Sequence, residues 1–115
     1  SRDLRAPIKS QEMPAAVASA LHTFEKHLHE PITPAELAVR SHLPPARFAR
    51  LIKKFFGLTP SQYITQARIA AALSLLRETD RSVAEIAAAS GFTDHSSFTR
   101  AFRKVAGISP TEYRN

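Results

Sequence analysis

The side chains in this sequence with the clearest chemical potential are basic, and they concentrate in two short stretches, residues 46–54 and 95–104. Neither stretch contains an acid. The 115-residue chain has sixteen Lys and Arg against ten Asp and Glu, a formal net charge of +6. Clustered cations displace the counterions condensed on a polyanion, so this pattern favours nucleic-acid binding. The excess is uneven, because residues 32–63 hold five basic residues and one acid, whereas residues 82–114 hold four and three.

No catalytic constellation stands out beside these cations. Asp94, His95 and Ser96 are the residue types of a hydrolase triad, but consecutive helical residues point about 100° apart and cannot form a relay. We therefore expect no enzyme activity.

Metal and cofactor sites are equally unsupported. The chain has no cysteine, which excludes thiolate metal sites and disulfide frameworks. We expect three histidines on the first helix to be exposed or capping, since their spacings lack the i, i+4 pairing of a helical zinc site; they are His22, His27 and His29. The three glycines are isolated turn or cap residues, so no phosphate-binding loop and no cofactor are expected.

The hydropathy pattern gives no sign of a membrane segment. The longest largely apolar stretch, 69–76, is interrupted by Ser74 and is far shorter than the roughly 20 residues that a span needs. Residues 1–13 carry charge without an apolar core, so we expect a polar leader or linker, no signal peptide and a cytoplasmic location.

The elements that carry the cations are predicted to be helices. Prolines and glycines divide the chain into short, alanine-rich segments, and no run alternates long enough for a strand. After Pro14, the apolar residues Val17, Leu21, Phe24 and Leu28 follow a helical spacing and predict one buried stripe.

An internal repeat organises the rest of the chain. Residues 33–63 align with residues 82–113 at an offset of 49 before a turn and 50 after it. Four helix starts share a capping-box pattern: Thr33 with Glu36, Thr59 with Gln62, Ser82 with Glu85, and Ser109 with Glu112. Each repeat is thus a short helix, a turn and a second helix of about a dozen residues that ends at Gly57 or Gly107.

Two helices whose second member carries positive charge outward have the layout of a helix-turn-helix, which places that helix in the DNA major groove. The second helices are expected to bury matching apolar positions: Phe48, Leu51, Ile52 and Phe55 in the first unit, and Phe98, Ala101, Phe102 and Val105 in the second. The remaining, polar face is left for a ligand.

The second unit resembles the signature of AraC/XylS-type bacterial transcription regulators. The residues that carry the resemblance are Ala84-Glu85-Ile86-Ala87, Gly91-Phe92, Ser96-Ser97-Phe98-Thr99-Arg100-Ala101-Phe102-Arg103-Lys104, Gly107-Ile108-Ser109-Pro110 and Tyr113-Arg114. The first unit and the connecting helix, with Arg68-Ile69 and Leu75-Leu76, fit in the same order.

The resemblance implies an all-α, seven-helix domain of two homeodomain-like helix-turn-helix units joined by a central linking helix. We expect the domain to span 14–115, with units at about 33–57 and 82–107 and the linking helix at about 60–78. It also implies sequence-specific binding of double-stranded DNA for transcription regulation, with RNA polymerase and an N-terminal sensing or dimerising domain as further partners. We expect an activator, but the sequence leaves activation and repression both open.

The geometry agrees with two reading helices on one DNA face. A linking helix of about 17 residues is roughly 25 Å long, and the flanking helix widths bring the separation to about the 34 Å of one DNA turn. Because the two reading helices differ in sequence, we expect an asymmetric site.

Specific roles can be assigned on these helices. We expect base contacts from one set: Arg47, Arg50, His95, Ser96, Thr99 and Arg100, of which the resemblance favours His95, Ser96 and Arg100. We expect phosphate contacts from another: Lys53, Lys54, Gln62, Arg103 and Lys104. Arg68 has two interpretations, a DNA contact or a structural pair with an acid such as Glu78 or Glu85. A rival function class also stays open, in which the basic helices dock on an acidic protein surface.

Overall fold

A computed structural model describes residues 12–115, and in this range the chain forms seven α-helices and no strand. The helices are α1 (Ala15–Lys26), α2 (Pro34–Arg40), α3 (Pro45–Phe56), α4 (Pro60–Glu78), α5 (Val83–Ala89), α6 (His95–Ala106) and α7 (Pro110–Arg114). The all-α, seven-helix prediction is confirmed. Residues 1–11 of the predicted leader lie outside the described residues.

Local sequence signals set most helix ends. All four predicted capping boxes are present, at the starts of α2, α4, α5 and α7. Both reading helices, α3 and α6, end at a glycine in the left-handed region, with φ of 72° at Gly57 and 86° at Gly107. Helix starts and stops are therefore local properties of this chain.

The first helix is shorter than the sequence pattern suggested. Val17, Leu21 and Phe24 are buried as predicted, but α1 ends at Lys26 and Leu28 lies half-buried in the following turn. The prediction that the stripe continues helically to Leu28 is wrong. His27 and His29 consequently lie outside the helix, where His27 Nδ1 is 3.0 Å from the Thr23 carbonyl oxygen.

Two separate apolar cores hold the helices. The first core contains buried residues of α1, α2 and α3, and the second contains buried residues of α5 and α6. The linking helix α4 belongs to both, because Ile64 is part of the first core whereas Ile69, Ala72 and Leu76 are part of the second. Extensive helix packing between the units passes through α4, and the shape is elongated, 54 × 29 × 20 Å.

In each unit, a tyrosine on the last helix is hydrogen-bonded to a residue of the first helix. In the first unit, Tyr63 on α4 donates a hydrogen bond to Glu25 on α1. In the second unit, Arg77 on α4 donates to the Tyr113 hydroxyl on α7 at 3.2 Å. Burial and the Glu25 carboxylate raise the pKa of Tyr63 well above its ordinary value, so its hydroxyl stays a proton donor. The helix α4 is thus the last helix of the first unit and the first helix of the second.

No helix in the described part of the chain is long and apolar enough to cross a bilayer.

Candidate nucleic-acid interface

The reading helices are fixed in the two units by aromatic and aliphatic side chains on one face. Phe48 and Ile52 anchor α3, while Phe98 and Phe102 anchor α6, and none of the four is more than 1% exposed. Phe98 lies between Phe92 and Phe102, with ring centroids 5.2 and 5.7 Å away. Rigid anchoring of this kind presents the opposite face in a defined orientation.

That opposite face carries most of the predicted contact residues. Nine of them are exposed on α3 and α6: Arg47, Arg50, Lys53, Lys54, His95, Ser96, Arg100, Arg103 and Lys104. Among the described residues the one ion pair is Arg77 with Glu78, at 3.9 Å on the linking helix. Within residues 12–115, the cations of the reading helices therefore have no carboxylate within 4 Å and can pair with an external anion.

Two predicted phosphate ligands from different units share one surface cleft. The last turn of α6 lies against the first two turns of α4, and between them is a cleft of about 360 Å³ whose lining includes Gln62 and Lys104. Gln62 is partly engaged, because its Oε1 accepts a hydrogen bond from the Thr59 amide at 3.0 Å. Only its side-chain amide nitrogen is left as a donor for a phosphate.

The two reading helices start differently. Asp94 caps α6: it accepts hydrogen bonds from the Ser97 amide at 2.7 Å and the Ser97 hydroxyl at 3.0 Å. These bonds, with a smaller contribution from Arg100, lower the pKa of Asp94 below its ordinary value. The helix α3 follows Pro44 without a side-chain cap. An anion approaching α6 therefore meets a fixed negative charge, and one approaching α3 does not.

A second acid lies near the end of α6. The backbone and side-chain hydrogen bonds with Ser109 lower the pKa of Glu112, and Arg103 adds to this effect. The capping-box pattern predicts the Glu112 cap but not the Asp94 cap, although an aspartate three residues before Ser97 is an ordinary N-cap signal. Both acids reduce the positive field of the second unit, in line with its smaller excess of cations.

Two predicted positions are placed differently from expectation. Thr99, assigned to base contacts, is half-buried, and its Oγ1 is fully buried with no hydrogen-bond partner in the described part of the chain. In this conformation its hydroxyl cannot reach a base edge. Val105, predicted to face the core, is 41% exposed, and the adjacent Ala106 packs against the second core instead. The apolar stripe of α6 thus shifts by one residue in the last turn.

Arg68 makes a contact that its sequence context did not indicate. Its Nη2 donates to the Glu30 carbonyl oxygen at 3.2 Å, and it forms no ion pair with Glu78 or Glu85. The predicted pairing with Glu78 or Glu85 is therefore wrong, and the contact that Arg68 makes within the domain is to a backbone carbonyl.

Comparison with known proteins decides the family. A sequence profile described as a helix-turn-helix domain matches residues 37–115. A protein described as the probable transcriptional regulator LumQ of Photobacterium leiognathi is 38% identical over 91 residues, which cover 79% of this chain and 37% of LumQ. The transcriptional activator RhaS of Escherichia fergusonii is also 38% identical over 91 residues, 79% of this chain and 33% of RhaS.

Solved structures agree with the sequence relatives. The DNA-binding domain of the global transcriptional factor AdpA, solved with a target DNA, has a TM-score of 0.82 at 31% identity, over 86% of this chain and 89% of that one. An AraC-type regulator from Chromobacterium violaceum has a TM-score of 0.78 at 27% identity, over 95% and 93% of the two chains. The chain belongs to the AraC family of transcriptional regulators. It is similar to the helix-turn-helix part of these AraC-type proteins and spans about a quarter to two fifths of the length of the curated relatives.

Proposed function

We propose that this AraC-type domain binds double-stranded DNA sequence-specifically, with α3 and α6 in two adjacent major-groove segments of one asymmetric site. The observation that carries the proposal is the pair of helix-turn-helix units on one helix, each with an exposed basic face that forms no ion pair with any residue the structure describes. The helix α4 has 19 residues and is about 28 Å long, so the added helix widths allow a separation near one DNA turn.

The two units have different tasks in this proposal. In the second unit, His95, Ser96 and Arg100 are donors or acceptors within the first two turns of α6 and would read base edges. In the first unit, Arg47 and Arg50 are the donors for bases, while Lys53 and Lys54 contact phosphates. Arg103, Lys104 and the free amide of Gln62 supply phosphate contacts near the shared cleft. The first unit would then bind the backbone more strongly, and the second would read more sequence.

The full-length protein requires further proposals. The chain covers only part of each curated relative, and one of those relatives is described as a transcriptional activator. We infer that an N-terminal sensing or dimerising domain precedes this one, that the protein acts as an activator by contacting RNA polymerase, and that it does so on cytoplasmic DNA. Promoter transcription by purified polymerase, with and without the full-length protein, tests the activator role. No increase in transcript would count against it.

Selection from a random duplex pool tests the DNA-binding proposal. We expect the domain to enrich one asymmetric sequence of about two DNA turns and to bind it about a thousandfold or more tightly than random duplex at physiological salt. Equal affinity for selected and random duplex, together with no effect of Arg100→Ala, would leave a nonspecific binder. Absence of any salt-dependent duplex binding would instead favour the rival class, a module for acidic proteins.

A further inference from the structure

Arg68 lies where the two cores of the molecule meet. On α4, Ala67 packs against the first core and Ile69 is fully buried in the second, so the residue between them belongs to neither. Arg68 is half-buried and has no carboxylate partner among the described residues. A half-buried guanidinium without an ion pair needs another reason for its position.

The side chain of Arg68 contacts both units. Its Nη2 donates to the Glu30 carbonyl oxygen in the α1–α2 connection of the first unit. Its Nε is buried, has no hydrogen-bond partner among residues 12–115, and lies close to Gly91 in the turn of the second unit. A Cβ atom built on Gly91 would lie 2.6 Å from Arg68 Nε and 3.1 Å from its Cδ, and would overlap the Leu28 carbonyl oxygen of the first unit. The turn of one unit therefore lies directly against the connection of the other.

The first unit provides an internal comparison for Gly91. At the equivalent turn position, 49 residues earlier, stands His42, which has a φ of 60° and an exposed side chain. A left-handed turn in this fold thus accepts a side chain when space is available. At position 91, Arg68 and the Leu28 backbone occupy this space. Both this close approach and the φ of 95° favour glycine at position 91.

The described helices make few other contacts between the units. Outside α4, none of these seven helices in one unit packs extensively on a helix of the other. Long helices curve gently, so one shared helix alone does not fix the angle between the two units that it joins. A lateral contact that spans both units, such as the one through Arg68, restricts that freedom.

We propose that Arg68 is a positioning residue that locks the second helix-turn-helix unit against the first and so determines which spacing of two DNA segments the domain accepts. The spacing part of this inference rests on the proposed function. One inserted base pair rotates the second segment by about 35° and moves it by about 3.4 Å. A locked pair of units should tolerate such a change poorly, whereas a loosened pair should tolerate it better.

The first test measures the angle without DNA. The chain has no cysteine, so Val39→Cys and Ala88→Cys place spin labels only at equivalent exposed positions of α2 and α5. We expect a narrow label-to-label distance distribution in the parent protein and one about twice as broad in Arg68→Met, which keeps the apolar stem and removes the guanidinium. Arg68→Lys, which keeps a charged donor, should give an intermediate width. The matched control is Arg77→Met, because that arginine is on the same helix and its hydrogen bond is to Tyr113 of the second unit.

A second pair of variants tests the same contact by changing the turn residues and not Arg68. Gly91→Ala should shift or broaden the distance distribution, because its new methyl group overlaps the junction. His42→Ala places alanine at the equivalent turn position of the first unit, where space is available, and should leave the distance distribution unchanged. Equal widths in the parent protein and in both Arg68 variants would overturn the proposal.

The second test measures binding to duplexes in which the two segments of the selected site are moved apart or together by one or two base pairs. We expect Arg68→Met to bind the optimal spacing about tenfold more weakly, to discriminate less between spacings, and to bind single-segment duplexes as the parent does. A uniform loss on all duplexes, single segments included, would mean that Arg68 contacts DNA and would overturn the positioning role. Failure of the parent protein to prefer any sequence would refute the proposed function, while the label distances would still report on Arg68.

Discussion

The salt dependence of DNA binding can be predicted from the four cations at the ends of the reading helices, Lys53, Lys54, Arg103 and Lys104. All four are exposed, and none has a carboxylate of the described part of the chain within 4 Å. Each phosphate that they neutralise releases condensed counterions and contributes about −0.9 to the slope of log affinity against log salt. Four contacts therefore give a slope of about −3.6, before any contribution from the arginines assigned to bases.

This slope corresponds to a large change in affinity. Between 50 and 200 mM salt, we expect the four contacts to weaken binding by about 150-fold. The double variants Lys53→Ala/Lys54→Ala and Arg103→Ala/Lys104→Ala should each reduce the slope by about 1.8. Because phosphate contacts carry no sequence information, each should weaken the selected duplex and random duplexes by similar factors.

Fluorescence anisotropy with a labelled duplex at five or more salt concentrations measures these slopes. The control is Arg77→Ala, which removes an exposed arginine already engaged by Glu78 and Tyr113 and should leave the slope unchanged. Thermal unfolding of each variant excludes loss of fold, which matters because Lys53 also donates to the Gly57 carbonyl at 3.3 Å. A slope that stays at the parent value in a folded double variant would refute the assignment of that pair to phosphates.

Further predictions concern the second unit. Arg100→Ala should relax the base preference at one or two positions and weaken binding to the preferred base by about 1–3 kcal/mol. Lys104→Ala should weaken binding to all sequences alike. Competition with singly substituted duplexes separates the two effects. Phe98→Ala should lower the free energy of unfolding by about 3–5 kcal/mol because its ring is fully buried. Val105→Ala should change the free energy of unfolding by less than about 1 kcal/mol because that side chain is 41% exposed. Urea titration measures both values, and equal losses would contradict the burial pattern. Asp94 has a lower pKa folded than unfolded, so its cap contributes stability above the unfolded pKa of about 3.9 and loses it as the pH falls through the folded value. The stability gap between the parent and Asp94→Ala should accordingly be full at neutral pH and shrink in acid, and a gap independent of pH would argue against the charged cap.

The helix boundaries and the repeat could be predicted because they depend on neighbouring residues. Thr33, Thr59, Ser82 and Ser109 each satisfy backbone amides within one turn, so the pattern is complete in four consecutive residues. The end of α1 could not be predicted because it does not depend on neighbouring residues alone. Leu28 continues the helical spacing, yet the chain leaves the helix after Lys26 and still half-buries that side chain from the following turn. An apolar period indicates that a residue packs, and not which backbone conformation brings it there.

The sequence by itself determined the helical class, the capped helix starts, the two repeated units and the two basic faces, since propensity, capping and charge are properties of short segments, whereas the count of seven helices came from the family resemblance. Only the tertiary structure decided which polar atoms face outward and which residues join the units. The burial of the Thr99 hydroxyl, the exposure of Val105 and the contact of Arg68 with Glu30 and Gly91 each depend on residues far away in the chain. Arg68 and Glu30 are 38 positions apart, and no local rule links an arginine to one particular backbone carbonyl at that distance. Their contact results from how two independently specified units pack around one shared helix.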